Sequence, residues 1–244
     1  MSLTVNGIEN IRAADARPEN GDLVVSMANH LFDVGGSVEV VLTLPVSSRI
    51  VDFAAVADTG DGAFSVSLYN AATNARTVAF VRSAQPEQLE VLDSTSRLVS
   101  NIDRNADGTE IRYVLQDTTG NLILKKVSWP TIGLDAQALD IFEPVKALAL
   151  APAAEGFMAV FLLASDTELA VYERDMTNRA TRLIQRVNLP SSPLKPTAIK
   201  SVAFNPLANS YNAVLDNEVY VSVSAGQPAF TATNILDAIF APSL

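Results

Sequence analysis

Apolar residues along the 244-residue chain come in short runs separated by turns rich in Asp, Asn, Gly and Pro. Runs of about four to eight such residues, bounded by turn formers, read as β-strands rather than helices. Four segments share one grammar of strand, turn, strand, short turn and strand, and they start at Ile50, Leu98, Val145 and Ile199. In the first, Ile50 to Ala57 leads through Asp58-Thr59-Gly60-Asp61-Gly62 into Phe64 to Leu68 and then Thr77 to Val81. The second runs Leu98 to Ile102, turns through Asn105 to Gly108, and continues as Ile111 to Leu115 and Leu122 to Val127. The third has Val145 to Leu150, Phe157 to Leu163 and Glu168 to Tyr172; the last has Ile199 to Phe204, Tyr211 to Leu215 and Glu218 to Val223.

The copies keep a period. Their second strands end on Leu68, Leu115, Leu163 and Leu215, at intervals of 47, 48 and 52 residues. Val145-Lys-Ala-Leu-Ala-Leu-Ala-Pro152 also matches Ile199-Lys-Ser-Val-Ala-Phe-Asn-Pro206, with three identities and three apolar-for-apolar replacements. A fainter copy comes first, with Ile8 to Ala14, Leu23 to Ser26, Leu31 to Val34 and Val38 to Leu44. Each unit has room for a fourth strand: Val38 to Leu44, Leu89 to Leu92, Ala138 to Phe142, Thr181 to Leu189 and Phe230 to Leu236. Four antiparallel strands in repeats of roughly 42 to 53 residues predict an all-β propeller of about five blades. The expected blades span about 8–47, 50–95, 98–143, 145–190 and 199–237 of a single domain, 1–244. Runs such as Met158 to Leu163 are apolar at consecutive positions, which calls for burial on both faces, as when one blade stacks on the next. A β-sandwich is the alternative fold, and it predicts cleaner alternation. Helix-like stretches, at Pro86 to Leu92, Ile132 to Leu139 and Ile235 to Phe240, are all short.

The stretch Asn105-Ala-Asp-Gly-Thr-Glu-Ile-Arg-Tyr-Val114 resembles the turn between inner strands in Tol-type and WD-repeat-like propellers. The resemblance covers one turn per blade and identifies no narrower family. The Gly-His and Trp-Asp signature of true WD repeats is missing, because the single histidine, His30, and single tryptophan, Trp129, stand elsewhere. What it implies is the propeller fold and binding of other macromolecules. The compartment stays open, with a periplasmic or cell-surface setting placed ahead of a cytoplasmic one.

Composition narrows the partners. A formal charge of −10 and a pI near 4.5 repel phosphate backbones, so nucleic acid is not an expected partner. The chain has no cysteine, which closes disulfide and thiolate chemistry. The longest apolar runs fall far short of the roughly 20 residues of a membrane-spanning helix, and no export signal is visible in Met1 to Asp15. A protein partner or a larger assembly is the remaining expectation.

The sharpest local motif is Asp103-Arg-Asn105-Ala-Asp107-Gly108-Thr-Glu110, with the D-x-N-x-D-G spacing of a calcium loop. Read that way, Asp103, Asn105, Asp107 and Glu110 would hold the cation. The same residues also serve as hairpin turn formers, and Val114 stands where an EF-hand places its bidentate glutamate. His30 reads as an edge-of-strand residue, since one imidazole cannot build a multi-histidine metal site. Glycosidic hydrolysis would need two carboxyl groups across a scissile bond, and Asp52, Asp58, Asp103 and Glu9 or Asp15 could supply them from inner strands. Val145 to Ala151 and Ile199 to Asn205 carry no carboxylate, however. Arg174, Arg179, Arg182 and Arg186 form the one basic cluster, able to dock an acidic partner or to sit solvated. The reading is a non-catalytic protein-interaction or structural scaffold module without a catalytic or cofactor site, and its alternative is a glycan-active enzyme with axial carboxylates.

Overall fold

A computed structural model describes residues 11, 13–17, 22–35, 38–56, 63–70, 75–82, 85–93, 97–105, 107–128 and 133–233. These form five antiparallel sheets in chain order, each a meander that keeps its own strands. The first sheet is β1 (Ala13–Ala16), β2 (Leu23–Met27), β3 (His30–Asp33) and β4 (Glu39–Thr43). The second is β5 (Ser48–Val56), β6 (Ala63–Asn70), β7 (Ala75–Arg82) and β8 (Gln85–Asp93). The third is β9 (Arg97–Leu98), β10 (Asp103–Arg104), β11 (Glu110–Gln116), β12 (Leu122–Ser128) and β13 (Gly133–Ala138). The fourth is β14 (Ala147–Pro152), β15 (Phe157–Leu163), β16 (Glu168–Asp175) and β17 (Thr181–Asn188). The fifth is β18 (Ile199–Asn205), β19 (Ser210–Leu215), β20 (Tyr220–Ser224) and β21 (Phe230–Ala232). Four sheets are therefore four-stranded blades and the third has five strands. The class is all-β, of propeller type, and there is no helix among the described residues.

The fifth strand of the third sheet comes from a broken inner strand. Leu98 pairs with Leu115, but Ser100 then turns its hydroxyl to accept the Val114 N–H at 2.8 Å, replacing a backbone carbonyl. Pairing resumes at Asp103 and Arg104, opposite Arg112 and Ile111. The break leaves the Ile102 N–H outside the ladder, available to another sheet. The fourth strand also differs from expectation, lying at Gly133–Ala138 instead of Ala138 to Phe142. Asp140 takes a left-handed φ of 53° and Phe142 is 87% exposed, so that segment leaves the sheet as a loop. The helix-like stretch at Pro86 to Leu92 is strand β8, paired along β7. The tail from Ile235 and the turn at Asp58 to Gly62 lie outside the described residues.

The chain divides into two compact units, 1–136 and 137–244. In the first, β5 carries apolar side chains to both faces. Phe53 and Ile50 pack with Val24, Leu31 and Leu42 of the first sheet, whereas Ala54 joins Ile102, Ile111 and Tyr113 of the third. In the second unit, β15 is buried at six consecutive positions and β16 at six. Phe161, Leu163 and Val171 meet Tyr211, Leu215 and Val221 of the fifth sheet. Each such side chain contributes about 1.5–3 kcal/mol relative to exposure, which is why the consecutive apolar runs become double-sided strands. The matched copies at Val145 and Ile199 become the first strands of adjacent sheets, β14 and β18, packed on each other. Their burial differs: β14 is largely buried, but Lys200, Ser201, Ala203 and Asn205 of β18 are exposed.

Candidate functional site

Within the first unit, inner strands and the adjoining β11 bring three carboxylates and two arginines together. A register shift between Ile50 and Asp52 marks a bulge in β5, and bulges re-aim the next side chain. Asp52 Oδ2 accepts the Ile102 N–H of the third sheet at 2.8 Å, the same group that the broken inner strand released. Asp15 on β1 repeats the arrangement, its Oδ2 accepting the Ala55 N–H of the second sheet at 2.9 Å. Each of these carboxylates thus joins its own sheet to the next one in sequence. Arg104 then reaches back from the third sheet to the first. Its Nε donates to Asp15 Oδ2 at 3.0 Å and its Nη2 donates to the Ala16 carbonyl at 2.8 Å.

Asp103 is enclosed beside this clamp, 8% exposed, and its Oδ2 has no hydrogen-bond donor. Arg112 Nη1 is 3.9 Å from that oxygen, and Arg112 Nε instead donates to Glu110 Oε1 at 2.6 Å. Lys126 Nζ pairs with Glu110 Oε2 at 2.8 Å. Burial pushes the Asp103 carboxyl up to about 6, against the pull of the Arg112 charge, the Arg104 N–H and the Arg104 charge. Asp52 also rises to about 6, again through burial, with the Ile102 and Phe53 N–H groups opposing and the Asp15 charge adding. Glu110 goes the other way: burial raises it, but hydrogen bonds from Lys126 and Arg112 prevail and hold it below the usual carboxylate range.

The four residues of the calcium motif face different tasks. Asn105 Oδ1 accepts the Glu110 N–H at 2.8 Å, and Asn105 Nδ2 donates to Thr109 Oγ1 at 3.1 Å. Asp107 Oδ1 accepts from Thr109, from Oγ1 at 2.7 Å and from the backbone N–H at 3.2 Å. The Thr109 hydroxyl and N–H hold the exposed Asp107 carboxyl below its ordinary range. Glu110 pairs with cations, and Asp103 lies inside with Arg112. Among the described residues no group of three or more His, Asp or Glu side chains is placed to hold a metal ion. Of the carboxylates named for hydrolysis, the fold gathers Asp15, Asp52 and Asp103, whereas Glu9 and Asp58 lie outside the described residues. His30 opens β3 and tilts against Phe32, ring centroids 5.8 Å apart.

In the second unit the basic cluster disperses. Arg182 pairs with buried Glu173, whose other oxygen accepts the Tyr211 hydroxyl at 2.5 Å. Arg186 bridges Glu143 and Glu168, and Tyr172 donates to Glu143 as well. Arg174 is almost fully enclosed, donating to Thr181 Oγ1 at 2.9 Å and Gln137 Oε1 at 3.0 Å. Sequence reading missed the Arg104–Asp15 bridge and the role of Arg112. No local pattern could reveal a pair separated by 89 residues.

The chain matches no protein-family model and no curated protein. Solved structures do match. The Dos1 propeller is 8% identical with a TM-score of 0.60 over 92% of this chain, which spans 60% of that structure. A TolB-like protein from Agrobacterium tumefaciens is 10% identical, with a TM-score of 0.58, covering 92% of this chain and 82% of its own. A periplasmic gluconolactonase from Pseudomonas aeruginosa is 16% identical, with a TM-score of 0.59, covering 91% and 70%. Similarity at this level of identity carries the architecture and nothing finer: the chain is a β-propeller by fold.

Proposed function

We propose that this chain is a non-catalytic, propeller-type interaction module whose inner-strand carboxylates fasten one sheet to the next. One observation carries the reading. Both Asp15 oxygens are engaged by Arg104 and backbone N–H groups, Asp52 Oδ2 is engaged by Ile102, and the remaining Asp103 Oδ2 is closed off from solvent. Acid–base hydrolysis needs two carboxyl oxygens presented to opposite sides of one bond, with room for a substrate between them. The Cps50 (Swd1) β-propeller domain of Myceliophteria thermophila matches the fold at a TM-score of 0.58 and 14% identity, over 92% of this chain and 72% of that one. A protein partner suits the acidic surface better than nucleic acid does. The turn at Asp103 to Glu110 serves the hairpin in this reading, and a calcium titration tests that assignment. A periplasmic or cell-surface setting goes with this reading, and fractionation of cells expressing the chain would test it.

The second reading is a glycan-active enzyme, favoured by two carboxyls raised to about 6, the range of a general acid working near neutrality. Full-length protein incubated with nitrophenyl glycosides and with branched arabinan separates the two. The interaction reading expects no release of nitrophenol or reducing sugar. Turnover that disappears in a folded Asp103→Asn variant would overturn it and install the enzyme.

A further inference from the structure

In the second unit a cleft of ≈ 700 Å³ opens between two hairpin tips, one following β14 and the other following β18. Its walls are mostly apolar, including Pro152, Ala154, Val202, Phe204 and Pro206, and among the described lining residues Glu155 alone is charged. Glu155 is exposed and makes no hydrogen bond or ion pair with the described residues. A volume of about 300–1,000 Å³ is the range in which pockets take whole side chains or small ligands.

The cleft is also held in shape. Phe204 packs on Tyr211 with ring centroids 5.0 Å apart, and the Tyr211 hydroxyl is fixed by Glu173. On the rim, Asn205 Oδ1 accepts the N–H groups of Leu207 at 3.0 Å and Ala208 at 3.3 Å, while Asn209 adopts a left-handed φ of 47°. This locked turn presents Leu207 with 98% of its surface in water. This exposed leucine, on a turn whose backbone Asn205 holds and next to the lining residue Pro206, is placed to add apolar contact area to whatever docks in the cleft. The free Glu155 carboxylate, in a chain of net charge −10, favours a cation in whatever docks there.

We infer that the cleft between the β14–β15 and β18–β19 turns, with Leu207 on its rim, docks a short extended segment of a partner protein: an apolar side chain enters the cleft and a neighbouring Lys or Arg pairs with Glu155. This rests on the interaction-module reading and names its surface and partner chemistry.

A cellulose-bound array of octapeptides, varying an apolar residue and the charge of its neighbour, is probed with the full-length protein, and retained peptides are titrated by fluorescence polarisation. Peptides carrying Leu, Ile, Val or Met beside Lys or Arg are expected to be retained. Leu207→Asp should weaken them by about tenfold or more. Glu155→Lys should reverse the preference toward acidic neighbours, an outcome that general loss of structure would not produce. Retention that ignores both substitutions overturns the cleft assignment and leaves the interaction-module reading standing. An array without any retained peptide overturns the assignment as well. Concentration-dependent dimerisation in light scattering, abolished by Leu207→Asp, makes a second copy the occupant and overturns the partner. Failure of the broader reading has its own signature, glycoside turnover lost in Asp103→Asn.

Discussion

Replacing Asp103 by Asn is expected to stabilise this protein, and to do so only where the carboxyl of the unfolded chain is ionised. The residue is enclosed, its Oδ2 lacks a donor, and its carboxyl titrates at about 6 instead of 3.8. The folded state therefore holds the proton more tightly than the unfolded state does, so stability falls as pH rises from the unfolded pKa through the folded one. Well below pH 3.8 both states are protonated and the group costs nothing; well above pH 6 both are ionised and the whole cost is present. A rise from 3.8 to about 6 corresponds to about 3 kcal/mol at pH 8, and about half of that at pH 5. An amide keeps the shape, still accepts hydrogen bonds and carries no charge to bury. Urea unfolding of wild type and Asp103→Asn, followed by circular dichroism at pH 5, 6, 7 and 8, measures the difference directly. The stability gap should widen with pH by about 1.5 kcal/mol across that range. A gap of constant size, or an Asn variant less stable at pH 8, would refute the reasoning and show that Arg112 at 3.9 Å compensates the charge.

Arg104→Gln removes the donor pair on Asp15 and should lower stability by about 1–3 kcal/mol, with an Asp15→Asn, Arg104→Gln double-mutant cycle reporting a coupling above about 0.5 kcal/mol. Phe161→Ala empties a fully buried site in β15 and should cost about 3–5 kcal/mol in denaturant unfolding, unless the neighbouring strands collapse into the cavity. Millimolar calcium should leave the melting temperature unchanged; a rise that EDTA reverses and Asp107→Ala abolishes would establish the Asp103 to Glu110 loop as a metal site. Calorimetry should give one transition with equal van't Hoff and calorimetric enthalpies if 1–244 folds as a single domain, whereas two transitions would mean that 1–136 and 137–244 melt separately.

The blades were legible because their signal is local. Short apolar runs between turn formers specify strands, and the repeat at Leu115, Leu163 and Leu215 marks positions that all become buried ends of second strands. Consecutive apolar residues in β15 correctly called for two covered faces. Strand edges were less secure. Ser100 reads as one more polar residue after Leu98, and only its hydroxyl accepting the Val114 N–H shows why the inner strand breaks. The third sheet's last strand lies at Gly133–Ala138, and the left-handed turn at Asp140 carries buried Ile141 and exposed Phe142 outside the sheet.

By itself, then, the sequence determined the all-β class, the repeat and most of the strand positions, since these depend on side-chain period and turn chemistry within about fifty residues. The tertiary structure alone decided what the polar residues do. Asp15, Asp52 and Arg104 acquire their partners only when inner strands from three sheets converge, across separations of 40, 50 and 89 residues. Whether a carboxylate becomes a tether, a turn former or an enclosed acid depends on local dielectric and on which donors arrive, and neither is a property of the residue's neighbours in sequence.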